Sequence, residues 1–241
     1  MSKPVFSGVL LTLCVLLAFA GCVSQPAQPI AQQTTQQPTQ ALVTPAVTIS
    51  VPNANATQQA FLAYPQAPLN ESERQDILFL QESEKLERDL YTKFAQQYAS
   101  IPVFANLAQS TAVYMNADNV ILVRYGITNP EQAAMGIFTN QKLQNMYVTW
   151  ANEGSMSSMA ALKTGATSED MHIADLTAAI ARTDNKDVNF IYRQELAFSR
   201  NNLRALVQWI NAFGGVYTPT YITPAYYNAL ISSPAEPVPI N

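Results

Sequence analysis

Across residues 70–99 (NESERQDILFLQESEKLERDLYTKFAQQYA), Ile77, Leu80, Glu84, Glu87, Tyr91 and Phe94 recur at three- and four-residue steps and share one stripe. The spacing predicts a long helix whose apolar face carries two carboxylates. Asn70 and Glu73 stand at the capping-box interval, which sets where the helix begins. The same period predicts three more long helices. One covers residues 103–125, after Pro102 and up to Gly126, with Leu107, Thr111, Tyr114, Ile121 and Tyr125 near one face. Another covers residues 157–182 and stops at Thr183-Asp184-Asn185. The fourth covers residues 186–212 and stops at Gly214-Gly215. A shorter helical piece, residues 142–151 behind a Thr139 or Asn140 cap, interrupts the long connection between the second and third. Strand signals are nearly absent before the tyrosine-rich tail VYTPTYITPAYYNALISS, which is expected to wrap the bundle.

Two antiparallel helix pairs joined by a long crossover between helices two and three make an all-α, ferritin-like four-helix bundle the expected architecture. In such a bundle the helix midpoints share a layer. Glu84, then Thr111 and Tyr114, then Glu169 and His172, then Ser199 and Asn202 stand near those midpoints, with Glu195 slightly earlier on the fourth helix. Glu169 precedes Ile173, Leu176 and Ile180 on a core stripe, and Glu195 lies among Val188, Ile191, Leu206 and Ile210. This construction is close to the di-metal carboxylate sites of helical bundles, where two helices give a Glu and two give Glu-x-x-His. The candidate metal ligands are therefore Glu84, Glu169, His172 and Glu195, and Glu169-x-x-His172 suits a single Fe, Zn or Mn ion. The competing reading is a buried carboxylate layer hydrogen-bonded to Tyr91, Tyr114, Asn202 or a basic side chain. Glu87 is either a further ligand or a residue facing water.

The ends of the chain change the picture of where this bundle works. Residues 1–21 hold Lys3, an apolar run and then Phe19-Ala20-Gly21 before Cys22, the pattern of a secretory signal peptide with a lipobox-like end. Cys22 is the expected lipid attachment site; an uncleaved anchor helix is the alternative, the run being just short of the ~18 residues of a spanning segment. Residues 22–66 are rich in Gln, Thr, Pro and Ala, and no charged residue occurs from 23 to 69, which predicts a disordered tether. The bundle is expected over residues 67–232 and a flexible tail over 233–241. Cys14 leaves with the signal and Cys22 takes the lipid, so no disulfide is expected. A formal net charge of -4 and the lack of a basic cluster exclude a nucleic-acid footprint. One histidine and no nucleophile elbow or phosphate loop exclude a Ser-His-Asp hydrolase and a phosphate-loop NTPase.

Glu82 to Tyr91 (ESEKLERDLY), Pro102 to Ala108 (PVFANLA), Tyr125-Gly126-Ile127, Phe138-Thr139-Asn140, Ile173-Ala174-Asp175-Leu176, Thr183-Asp184-Asn185 and Ser199 to Ala205 (SRNNLRA) resemble the DUF2202 family of ferritin-like domains, from about residue 67 to 231. The resemblance implies a di-iron type centre. Set against the family pattern, Thr111 and Tyr114 stand where a Glu and a His are usual, Asn202 where a His is usual, and His172 where an Asp is usual. Glu84, Glu169, His172 and Glu195 are what remains of the ligand set. The expectation is a secreted protein, lipid-anchored through Cys22 to the outer face of a prokaryotic membrane. It would be a binding or structural module with a degenerate di-metal site and at most one weakly held Fe or Mn ion. The alternative is an iron- or manganese-dependent oxidoreductase handling oxygen or peroxide through the same residues.

Overall fold

A computed structural model describes residues 44–45 and 54–237 of the chain. Within them lie seven α-helices and no strand: α1 (Ala54–Leu62), α2 (Glu71–Gln97), α3 (Pro102–Tyr125), α4 (Gln141–Gly154), α5 (Ser158–Arg182), α6 (Lys186–Ala212) and α7 (Pro224–Ser232). The four long helices of the bundle are α2, α3, α5 and α6. α2 packs on α3 and α5, while α6 packs on α5 and α3, so the apolar stripes of all four meet in one core. Leu86, Leu90, Leu107, Leu162, Leu203 and Leu206 are fully buried there. The expected signal segment, Cys22 and most of the expected tether lie outside the described residues. No described helix is long and apolar enough to cross a membrane.

The local signals work as the spacing predicts. Asn70 Oδ1 accepts from the Glu73 amide at 2.9 Å and Glu73 Oε2 accepts from the Asn70 amide at 2.8 Å, closing the capping box of α2. Glu73 does more than cap. Its Oε1 accepts from Thr183 Oγ1 and Asn185 Nδ2, tying the start of α2 to the turn between α5 and α6. Gly126 ends α3 with φ 60°, a left-handed conformation that suits glycine, and the Ile127 amide reaches back to the Leu122 carbonyl.

The outer face of α2 is also occupied, which a single apolar stripe does not announce. Lys85 is fully buried, pairs with Asp89 at 2.5 Å, and stands 4.4 Å from the Phe138 ring centroid. Asp89 accepts from the Gly136 amide, and Glu82 accepts from the amides of Thr139 and Asn140 at the start of α4. These bonds clamp the long crossover onto α2 and leave α2 buried on both sides.

Two boundaries differ from the sequence reading. The expected tether to residue 66 contains α1, whose Phe61 is fully buried and which packs on α3 and α6. Arg124 holds its end, donating to the carbonyls of Phe61 and Tyr64 with its guanidinium 4.9 Å from the Phe61 ring centroid. Composition counts only what a segment buries against itself; α1 borrows a surface from the bundle. The start of the expected flexible tail, residues 233–237, is tied to α6, and the rest of it lies outside the described residues. Glu236 pairs with Arg200 and Arg204, and Asn201 bonds its backbone in both directions. Arg200 and Arg204 lie four apart on α6, so a single acidic residue engages both.

Between α6 and α7 the chain crosses α5 at Asp170. That fully buried carboxylate accepts from the Tyr217 hydroxyl and from the amides of Thr220, Tyr221 and Ile222. The tyrosine-rich tail thus lies on the bundle as expected, held by one carboxylate that satisfies three backbone donors.

Candidate metal centre

Helical spacing sends Glu84, Glu87 and Tyr91 inward from successive turns of α2, Glu169 and His172 inward from α5, and Glu195, Ser199 and Asn202 inward from α6. All are buried: Glu84 is 2 % exposed, Glu87 1 %, Glu169 0 %, His172 1 % and Glu195 4 %. α5 comes close to α2 at Gly165, where an added Cβ would stand 3.1 Å from the Tyr91 ring. That approach lets the Tyr91 hydroxyl reach α5.

Of the four candidate ligands, Glu84, His172 and Glu195 come together. Each offers a ligand atom, and these atoms lie within 4.8 Å of one another. They arrive from three helices, α2, α5 and α6. His172 Nδ1 is 3.2 Å from Ser83 Oγ, which orients the ring, and Nε2 has no hydrogen-bond partner. Burial holds the imidazole down to about pKa 3, so it is neutral at physiological pH with a lone pair available.

Glu169 stands outside that trio. Its Oε1 accepts from the Tyr91 hydroxyl at 2.6 Å and from Asn202 Nδ2 at 3.0 Å. Burial pushes its carboxyl up to about 8, against the opposing hydrogen bonds of Tyr91, Asn202 and Ser199. Burial thus favours the protonated form of Glu169. For this residue the hydrogen-bonded reading describes the geometry, and two of the partners named from sequence, Tyr91 and Asn202, are the ones used.

Glu87 does not face water. It is buried beside this layer, and burial, followed by the charges of Glu169 and Glu195, pushes its carboxyl well above the usual range. Among the described residues, α3 adds no carboxylate or imidazole to the trio. Thr111 is fully buried, and Tyr114 stacks on Phe198 with ring centroids 3.9 Å apart.

Two residues of the layer carry a weaker signal in the sequence. Gln81 precedes Glu84 by three residues and Tyr192 precedes Glu195 by three, so each lies one turn from a cluster carboxylate on the same face. Both are buried, and Gln81 Nε2 and Tyr192 Oη have no hydrogen-bond partner. The i−3 interval was the available clue.

A family model for an uncharacterized protein domain, DUF2202, matches residues 73–234. The chain is 38% identical over 173 residues to the uncharacterized protein MJ0754 of Methanocaldococcus jannaschii, an alignment spanning 71% of this chain and 93% of that protein. The crystal structure of hypothetical protein MJ0754 from Methanococcus jannaschii is similar to this fold with a TM-score of 0.70 at 37% identity, covering 72% of this chain and 99% of that one.

Proposed function

The chain belongs to the DUF2202 family, and from that premise we propose that it is a ferritin-like, extracytoplasmic metal-binding module in which Glu84, His172 and Glu195 hold one iron or manganese ion. One observation carries this reading: two carboxylates and an imidazole from three helices present ligand atoms within 4.8 Å in a buried layer. Two carboxylates buried that close repel each other, and a divalent cation between them turns the repulsion into coordination. The charge balances as well. Metal binding requires deprotonated ligands. Two carboxylates and a neutral imidazole cancel a divalent charge, while burial raises the carboxyls of Glu169 and Glu87 and favours their neutral forms. The oxygen-rich set with one nitrogen suits iron or manganese.

The donors fit one ion and not two. A di-metal site of this kind uses about six protein ligands, including two histidines. Among the described residues the trio is joined in this layer by Glu87 and Glu169, and Glu169 Oε1 already accepts from Tyr91 and Asn202 while its Oε2 has no hydrogen-bond partner. Thr111 and Tyr114 contribute hydroxyls, which are poor ligands while protonated. Bound at the trio, iron or manganese would supply a Lewis-acidic centre. The surrounding residues would shield that centre from bulk solvent, orient His172 through Ser83, and hold protons on nearby carboxylates. This favours a holding or structural role over redox turnover. The lipid attachment at Cys22 and the outer face of a prokaryotic membrane are part of the same proposal, supported by the signal-like pattern of residues 1–22.

Elemental analysis of the purified protein, supplied with iron or manganese, tests the reading. One equivalent of metal is expected in the wild type and in Glu169→Gln, and none in a Glu84→Gln, His172→Ala double variant. Absence of metal from the wild type under every loading condition sinks it.

A further inference from the structure

A narrow cleft of about 10 Å³ opens between α2, α3 and α6 beside the trio. Ile77, Leu80 and Ile121 form its apolar wall, and Gln81, Glu84, Tyr192 and Glu195 its polar one. Two of those polar residues are ligands of the proposed ion, while His172 does not line the cleft. The cleft therefore meets the trio on its carboxylate side. The volume is about that of one water.

The other two polar residues each present an unsatisfied atom: Gln81 Nε2 and Tyr192 Oη are buried and have no hydrogen-bond partner among the described residues. A buried polar group left unsatisfied is costly, and a cavity with several polar groups is where a bound water is retained. The chemistry matches water in both directions. A tyrosine hydroxyl donates and accepts, and a side-chain amide presents a donor or an acceptor by turning over. The three protein ligands, for their part, leave coordination positions on the ion for an exogenous group.

We infer that this cleft binds one exchangeable water or hydroxide, held by Gln81 and Tyr192, as the non-protein ligand of the ion at Glu84, His172 and Glu195. The inference rests on the metal reading above and extends it: Gln81 and Tyr192 become positioning residues for the ligand, and Ile121 closes the space around it. Nothing larger than a water fits without movement of the apolar wall.

The full-length protein loaded with manganese(II) and exchanged into deuterium oxide tests this by deuterium electron–nuclear double resonance. The wild type is expected to give strongly coupled, exchangeable deuterons of a coordinated water. Ile121→Phe, which fills the cleft without touching a ligand, should keep its manganese and lose more than half of that signal. Gln81→Leu, which removes the amide without adding bulk, should keep its manganese and shift the deuteron coupling. Manganese bound in the wild type without such deuterons, or a signal unchanged in both variants, overturns this inference and leaves the metal reading standing. If Ile121→Phe does not fold, an unaltered spectrum in Gln81→Leu overturns it alone. No manganese uptake by the wild type overturns both.

Discussion

The Tyr91 hydroxyl donates a 2.6 Å hydrogen bond to Glu169 Oε1, and Glu169 is not among the three residues, Glu84, His172 and Glu195, whose ligand atoms lie within 4.8 Å of one another. Asn202 donates to the same oxygen. A carboxylate that the sequence placed among the metal ligands is thereby built into a hydrogen-bonded pair between α2 and α5. Tyr91→Phe removes one donor while preserving the ring. The expected loss is about 1–3 kcal/mol of stability by urea denaturation, the usual cost of leaving a buried acceptor short of a partner. Metal stoichiometry should not change.

The pH dependence of the metal-free protein follows from shifts of opposite sign, Glu87 being raised alongside Glu169 while His172 is lowered. Glu169 is raised by burial from 4.5 to about 8, so its contribution to stability is fully present below about pH 4.5 and is lost as pH rises through about 8. His172 is lowered by burial from 6.5 to about 3, so its contribution is present above about pH 6.5 and is lost as pH falls through about 3. Glu169→Gln, which mimics the protonated acid, should flatten the decline between pH 4.5 and 8 and leave the acid side unchanged. Chemical denaturation from pH 4 to 9 checks it; an undiminished alkaline decline in the variant would refute the assignment.

Ser83 Oγ stands 3.2 Å from His172 Nδ1. When Nε2 ligates the ion, Nδ1 carries the proton and donates to Ser83 Oγ. Ser83→Ala should weaken metal binding by about 10- to 100-fold, the range for loss of a group that orients a ligating histidine. Competition with a chelator measures it, and the fold itself should melt close to the wild type.

Asp170 is the post that the tail is tied to. Asp170→Ala leaves the amides of Thr220, Tyr221 and Ile222 and the hydroxyl of Tyr217 without their acceptor. A destabilisation of about 3 kcal/mol or more is expected, since charge-assisted bonds are each worth roughly 1.5–3 kcal/mol. Limited proteolysis should cut the variant between residues 217 and 227 at a protease level that spares the wild type.

Arg124 couples α1 to the bundle through two carbonyls, the Phe61 ring and Asp187. Arg124→Ala should raise hydrogen exchange across Ala54–Leu62 while the amides of α5 stay protected. If α1 exchanges at the wild-type rate, Phe61 burial alone suffices to dock it.

The positions of α2, α3, α5 and α6, the cap of α2, the all-helical class and the carboxylates and histidine of the polar layer were written in the order of residues. Asn70 and Glu73 cap where their spacing puts them, and α6 spans Lys186–Ala212 as its period and glycine stop require. These features depend on contacts within a few residues, so the chain carries them locally. Which carboxylates meet was decided only by the tertiary structure. A period of 3.6 residues says which face a side chain takes, but not how far one helix slides along its neighbour, and a slide of one turn is about 5.4 Å. That distance separates a ligand from a hydrogen-bond acceptor. It puts His172 with Glu84 and Glu195, leaves Glu169 to Tyr91, buries Glu87, and sets Gln81 and Tyr192 around a space the size of one water.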